Sequence, residues 1–222
     1  DKPYLPLELL RIPVMRQAAG ATAAYASASF ALIFYLPIYT QTVFRSDAAE
    51  AGLLLLPITG GNIVGATLSG RIAAATGRTR ELPLAGLLLA SACLLVLAFA
   101  PPSRLLVALM GAGLGIGLGS VMGITQIITQ IRAGPQRLGA AAAVISLSRN
   151  FGAALGAAGF GAIALGAARL SGGAAEPAGD PSAFNTAFVV AAIVCAAGAW
   201  SSWRLPRDRL PPSVAGGRPA GG

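Results

Sequence analysis

The chain has no histidine, only two cysteines and only eight acidic residues. Histidine is the usual neutral-pH base and a common metal ligand, so its absence removes the easiest route to either chemistry. No cluster of Asp, Glu and Cys takes its place. A polytopic enzyme is therefore ranked low, and no metal, cofactor or catalytic residue is expected. Cys93 and Cys195 stand alone inside apolar runs and read as small packing residues rather than a disulfide framework. Charge is also scarce. Asp, Glu, Lys and Arg make up 11% of the chain, whereas a soluble domain carries roughly 25%. Aromatic residues make up 6% and do not interleave with the basic ones. The formal net charge of +8 therefore does not point to nucleic acid.

What is present is apolar surface. Of the 222 residues, 55% are hydrophobic, and the mean hydropathy is +0.70. Six long apolar runs are legible: 16–44, 51–75, 82–100, 105–131, 138–168 and 184–203. At 1.5 Å per residue each reaches roughly 30 Å or more, enough to cross a hydrocarbon core. The expected organisation is a linker over 1–15, a six-span bundle over 16–203 and a disordered tail over 204–222. The chain opens on Asp1 without an initiator Met, as a segment of a longer polypeptide would.

One basic loop organises the rest. Arg71, Arg78 and Arg80 lie between the second and third runs, and short basic loops stay on the cytoplasmic side. Alternation then puts Lys2, Arg11, Arg16, Arg132, Arg137, Arg204, Arg207 and Arg209 on that side and leaves Arg45, Arg104 and Arg169 opposite. Both ends of the chain are expected in the cytoplasm of a cell whose inner or plasma membrane the bundle spans.

Glycine is patterned. Gly111, Gly115, Gly119 and Gly123 recur at every fourth residue of the fourth run. Gly61, Gly65 and Ser69 repeat the device in the second run, and Gly152 and Gly156 in the fifth. Such ridges let helix backbones approach closely in a membrane. No strand precedes the Gly-x-Gly stretch, so a nucleotide loop is not indicated. Beside the ridge, Met122, Thr125, Gln126 and Thr129 share a helix face, and Thr22, Tyr25 and Ser29 form a matching stripe in the first run. Tyr35 and Tyr39 flank Pro37, which is expected to kink that helix. Two readings stand for these groups: a cavity lined by Tyr25, Ser29, Tyr35, Met122, Thr125 and Gln126, or interhelical hydrogen bonding. Arg149 is the one charge deep in a run, followed by Asn150, with Asn62 at mid-depth of the second run. Arg149 is either a functional group, a snorkelling anchor or the partner of a carboxylate elsewhere in a longer protein. With Asn62, Asn150, Gly115 and Gly119 it is a candidate for an interface or gate. No acid lies mid-span, so a proton carrier would have to lie outside this chain.

Gly70, Gly77 and Arg78 match the inter-span signature Gly-x-x-x-Asp-Arg-x-Gly-Arg-Arg-x, with Ala74, Ala75 and Thr79 departing from it. With six spans and glycine-rich inner helices, the chain resembles one half of a major facilitator superfamily transporter. Phe34-Tyr35-Leu36-Pro37-Ile38-Tyr39, the stretch from Ala49 to Pro57 and the stretch from Ser148 to Gly156 look like the C-terminal six spans of the fourteen-span drug:proton antiporters. The resemblance implies an all-α membrane fold, with a 3+3 inverted repeat in this half and an N-terminal half as its partner. It implies alternating access and a proton gradient as the driving force. The expected activity is efflux of small amphipathic drugs. Alternatives are a metabolite or sugar carrier of the same superfamily, and a non-catalytic membrane subunit or sensor.

Overall fold

The computed structural model describes residues 12–77, 80–134, 137–170 and 181–204. Every element in them is an α-helix: α1 Pro13–Phe44, α2 Ala48–Leu53, α3 Leu56–Thr76, α4 Glu81–Phe99, α5 Arg104–Ala133, α6 Leu138–Leu170 and α7 Pro181–Trp203. Six stretches are long and apolar enough to cross a membrane, with α2 and α3 counted as one. Residues 1–11 of the expected linker and 205–222 of the expected tail lie outside the described residues, as does Arg78 of the signature loop. The first helix begins three residues before the expected Arg16, at Pro13, whose fixed φ suits a first turn.

The ends have local causes. Asp47 caps α2 by accepting the Glu50 N–H at 3.1 Å, and Ser103 caps α5 by accepting the Leu106 N–H at 3.2 Å. Gly77 ends α3 at φ 66°, with its N–H donating to Ala73 O. That left-handed position favours glycine, which gives the signature glycine a structural task. The second apolar run is continuous in sequence but broken in the fold. Chain over Leu54 and Leu55 separates α2 from α3, and Pro57 starts the new helix. Pro37 does not end α1, which continues through it to Phe44.

The packing has a twofold logic. α3 lies on α5, and α6 lies on α1, both in parallel: Gly61 and Gly65 meet Ala112 and Ile116, while Gly152 and Gly156 meet Ala23 and Ser27. α4 packs antiparallel on α5 and α7 antiparallel on α1, and α4 and α7 pack on each other. The second helix of each triplet therefore rests on the first helix of the other triplet, as a 3+3 repeat requires. The main core joins α1, α4, α5 and α7, with Leu32, Leu87, Leu94, Leu118 and Phe188 among its buried residues.

α4 is rich in leucine and α7 in alanine and valine, compositions that suit contact with lipid. They do expose Leu88, Leu95 and Ile193, yet α3 and α6 are the less covered pair. Only 22% of the apolar stretch of each is buried, against 44% to 50% in the other four. Each of these two helices leans on the bundle by one small-residue face and leaves the rest open.

Candidate functional site

The close approaches build the site. A Cβ added to Gly65 would lie 2.7 Å from Ile116 Cα, one on Gly115 2.8 Å from Asn62 N, and one on Gly119 2.9 Å from Asn62 Cα. All three are closer than real Cβ atoms come, so only glycine allows the two backbones to touch. The backbone of Asn62 thus lies between Gly115 and Gly119, and its side chain is half-buried. Gly70 has open space where a Cβ would stand, so close packing does not require it.

Between α1 and α5 the structure brings Tyr25 and Met122 together. Tyr25 is 8% exposed, and its hydroxyl donates to Met122 Sδ at 3.6 Å. Along the same stripe Thr22 Oγ1 and Ser29 Oγ are buried without a hydrogen-bond partner among the described residues. This sets them apart from Thr40, Thr59, Thr76 and Ser148, whose hydroxyls donate to carbonyls of their own helix. Thr125 belongs with the latter. It is 1% exposed and donates to Val121 O at 2.8 Å, so it faces the bundle interior. Gln126, next along, is exposed and borders a small recess with Thr129, Gln130, Ala142 and Ile145, where α5 meets α6. Tyr35 is not on the Tyr25 face. It is half-buried, and its hydroxyl lies 3.6 Å from where a Gly161 Cβ would stand, on the α6 side. Its neighbour Tyr39 packs edge-on against Phe184 and Phe188 of α7, with ring centroids 5.3 Å apart in each pair.

Arg149 is half-buried and Asn150 exposed. Gly152 sits on Ala23 and the two helices run parallel, so Arg149, one turn earlier, stands level with Gly20. That is about 13 Å from the midpoint of α1, close to the edge of a hydrocarbon layer of about 30 Å. Among the described residues it has no ion-pair or hydrogen-bond partner. The described carboxylates all lie at helix starts: Asp47 caps α2, Glu50 is in its first turn, and Glu81 is in the first turn of α4. Glu50 pairs with Arg104, whose guanidinium also stands 6.0 Å from the Phe44 ring centroid. The ion pair ties α2 to the start of α5, and the Phe44 contact adds the end of α1. Sequence reasoning missed it, although two opposite charges on one side of the membrane were a usable signal.

Residues 2–157 match the Major Facilitator Superfamily. The chain belongs to that superfamily. Superfamily members are transporters rather than enzymes, and the helices here make this a multi-pass membrane protein. An uncharacterised MFS-type transporter of Mycobacterium tuberculosis is 30% identical over 187 residues, covering 78% of this chain and 27% of that protein. A multidrug resistance protein of Schizosaccharomyces pombe is 31% identical over 85 residues, 38% of this chain and 16% of that protein. A tetracycline resistance determinant of Streptomyces rimosus is 29% identical over 87 residues, 39% of this chain and 25% of that protein. The chain thus spans about a quarter, or less, of the length of these relatives.

Proposed function

We infer that this superfamily chain is one half of an exporter of small amphipathic drugs, working by alternating access in the inner or plasma membrane. The observation that carries the reading is the uneven covering of the bundle. α3 and α6 lie at its flanks with most of their surface unpartnered, while α1 and α5 hold the Tyr25–Met122 contact and the two unpaired hydroxyls between them. An N-terminal half seated against α3 and α6 would enclose the face that includes Gln126. Tyr25, Met122, Ser29 and Gln126 would then offer an apolar, weakly polar lining that suits a large, partly apolar solute. Thr125 and Tyr35 stay outside that lining, Thr125 inside the bundle and Tyr35 towards α6. The names of the drug-resistance relatives point the same way.

The driving force is proposed to be the proton gradient. The described acids cluster at helix ends, so the proton carrier is assigned to the other half. The arginines at 16, 71, 80, 132, 137 and 204 support a cytoplasmic location for both ends of this chain. Arg149 is assigned the role of an anchor, its guanidinium reaching the cytoplasmic headgroups. The second reading, a metabolite or sugar carrier, differs only in cargo.

The test is ethidium efflux from energised cells that make the full-length protein. Tyr25→Ala and Gln126→Ala are expected to cut efflux while surface expression stays unchanged. Full efflux by both variants removes the proposed lining. Efflux that persists after the proton gradient is collapsed removes the coupling.

A further inference from the structure

An open groove runs between α1, α6 and α7, on a face the transport reading does not use. It holds about 450 Å³ and is lined by small and apolar residues, among them Ala23, Ser27, Gly159, Val190, Ala197 and Ser201. Its α6 wall runs from Gly152 to Ile163 and its α7 wall from Val190 to Ser201. Each wall spans about 16 Å along its helix. That is close to half of a hydrocarbon core of about 30 Å. The groove opens at the level of Ser201, three residues short of Arg204, and its far end at Ile163 is level with about Phe34 of α1, roughly 8 Å past the midpoint of that helix. End to end it covers about 20 Å, roughly two thirds of a hydrocarbon core of about 30 Å, and stops short of the opposite surface.

These dimensions decide between occupants. A neighbouring helix is roughly 10 Å wide and would run the full depth of the membrane, so about a third of it would lie beyond the groove. An acyl chain fits better. An apolar cavity of about 150 Å³ holds one benzene. On that scale 450 Å³ takes roughly three times as much, about eighteen carbon atoms in a row.

The mouth supplies charge. The Arg204 guanidinium stands 5.3 Å from the Trp200 ring centroid, and both residues are exposed. Arg16 is exposed on α1 at the same end. Ser201 Oγ donates to Gln17 O at 3.1 Å and ties α7 to α1 beside them. No described carboxylate lines the groove. Asp47 and Glu50 are at the opposite end of the bundle, and Glu81 begins α4, which does not line the groove.

We propose that this groove is a binding site for one anionic phospholipid, its acyl chain lying between α6 and α7 over α1 and its phosphate held by Arg16 and Arg204. The site depends on the chain crossing a bilayer and not on what it carries, so its test is independent of efflux.

The test uses the purified full-length protein in detergent, offered dioleoylphosphatidylglycerol or dioleoylphosphatidylcholine, with retained lipid counted by native mass spectrometry. The parent is expected to prefer phosphatidylglycerol about tenfold, as two surface arginines can provide. Gly159→Phe with Ala197→Phe fills the groove. Gly159 has open space at its Cβ position and Ala197 is exposed, so neither change strains the fold. That variant, still monodisperse on size exclusion, is expected to retain about tenfold less of either lipid. Arg16→Gln with Arg204→Gln is expected to keep the lipid and lose the preference. Unchanged retention by the filled variant overturns the site, and so does a parent that holds both lipids equally. Cross-linking of Ala197→Cys to another protein helix in place of lipid also overturns it.

Discussion

Replacing Gly65 with alanine tests the packing that holds the two triplets together. A Cβ there would lie 2.7 Å from Ile116 Cα, where carbon atoms prefer about 3.5–4.0 Å. α3 and α5 would have to part by about 1 Å. A gap of that size forfeits roughly a quarter to a half of the contact energy along the facing ridge. Overpacking of this kind costs about 1–3 kcal/mol. Gly60 is the control, in the same helix but with nothing within 4 Å of its Cβ position. Gly60→Ala should be neutral or stabilising by up to about 1 kcal/mol through helix propensity. The two variants should therefore differ by about 1–4 kcal/mol, or roughly 2–16 °C in midpoint for a chain of this size. Thermal unfolding followed by fluorescence-detected size exclusion reads this directly. Equal midpoints for Gly60→Ala and Gly65→Ala would refute the claim that backbone contact, rather than side-chain packing, joins α3 to α5.

Other expected outcomes are smaller. Gly77→Ala should cost about 1 kcal/mol, because the residue that ends α3 sits at φ 66°; a midpoint unchanged from the parent contradicts the cap. Glu50→Gln should cost no more than about 1 kcal/mol, since the Arg104 side chain of the pair is 56% exposed, and a double-mutant cycle with Arg104→Gln measures the coupling. Arg149→Lys should preserve expression and efflux, because a lysine can reach the same headgroups. A collapse of either with lysine would point instead to a specific ion pair.

Glycine spacing carried most of what the sequence could say. Gly61, Gly65, Gly115, Gly119, Gly152 and Gly156 were legible because backbone contact between helices admits almost nothing else. Gly60, Gly70 and Gly159 look the same in sequence and meet nothing in space; only the partner helix separates the two classes. The break at Leu54 and Leu55 was hidden because the apolar run is continuous and Pro57 can begin a helix as readily as it can interrupt one. Tyr35 was grouped with Tyr25 by chemistry. The two are ten residues apart on one helix, which turns them about 80° from each other, and α6 rather than α5 receives Tyr35. Thr125 lies on the cavity-lining face by helix position, but a threonine in a helix can satisfy its hydroxyl on its own backbone, as Thr125 does with Val121 O. The groove between α1, α6 and α7 had no sequence signal, since its walls come from three helices whose adjacency is tertiary.

Single cysteines at Arg80 and Arg45, in an otherwise cysteine-free full-length protein, bear on the central claim of six alternating passes with the arginine-rich turns inside. A membrane-impermeant maleimide applied to intact cells should label Arg45→Cys at once and Arg80→Cys only after the cells are opened. Labelling of both positions in the same compartment would contradict the topology and, with it, the half-transporter account.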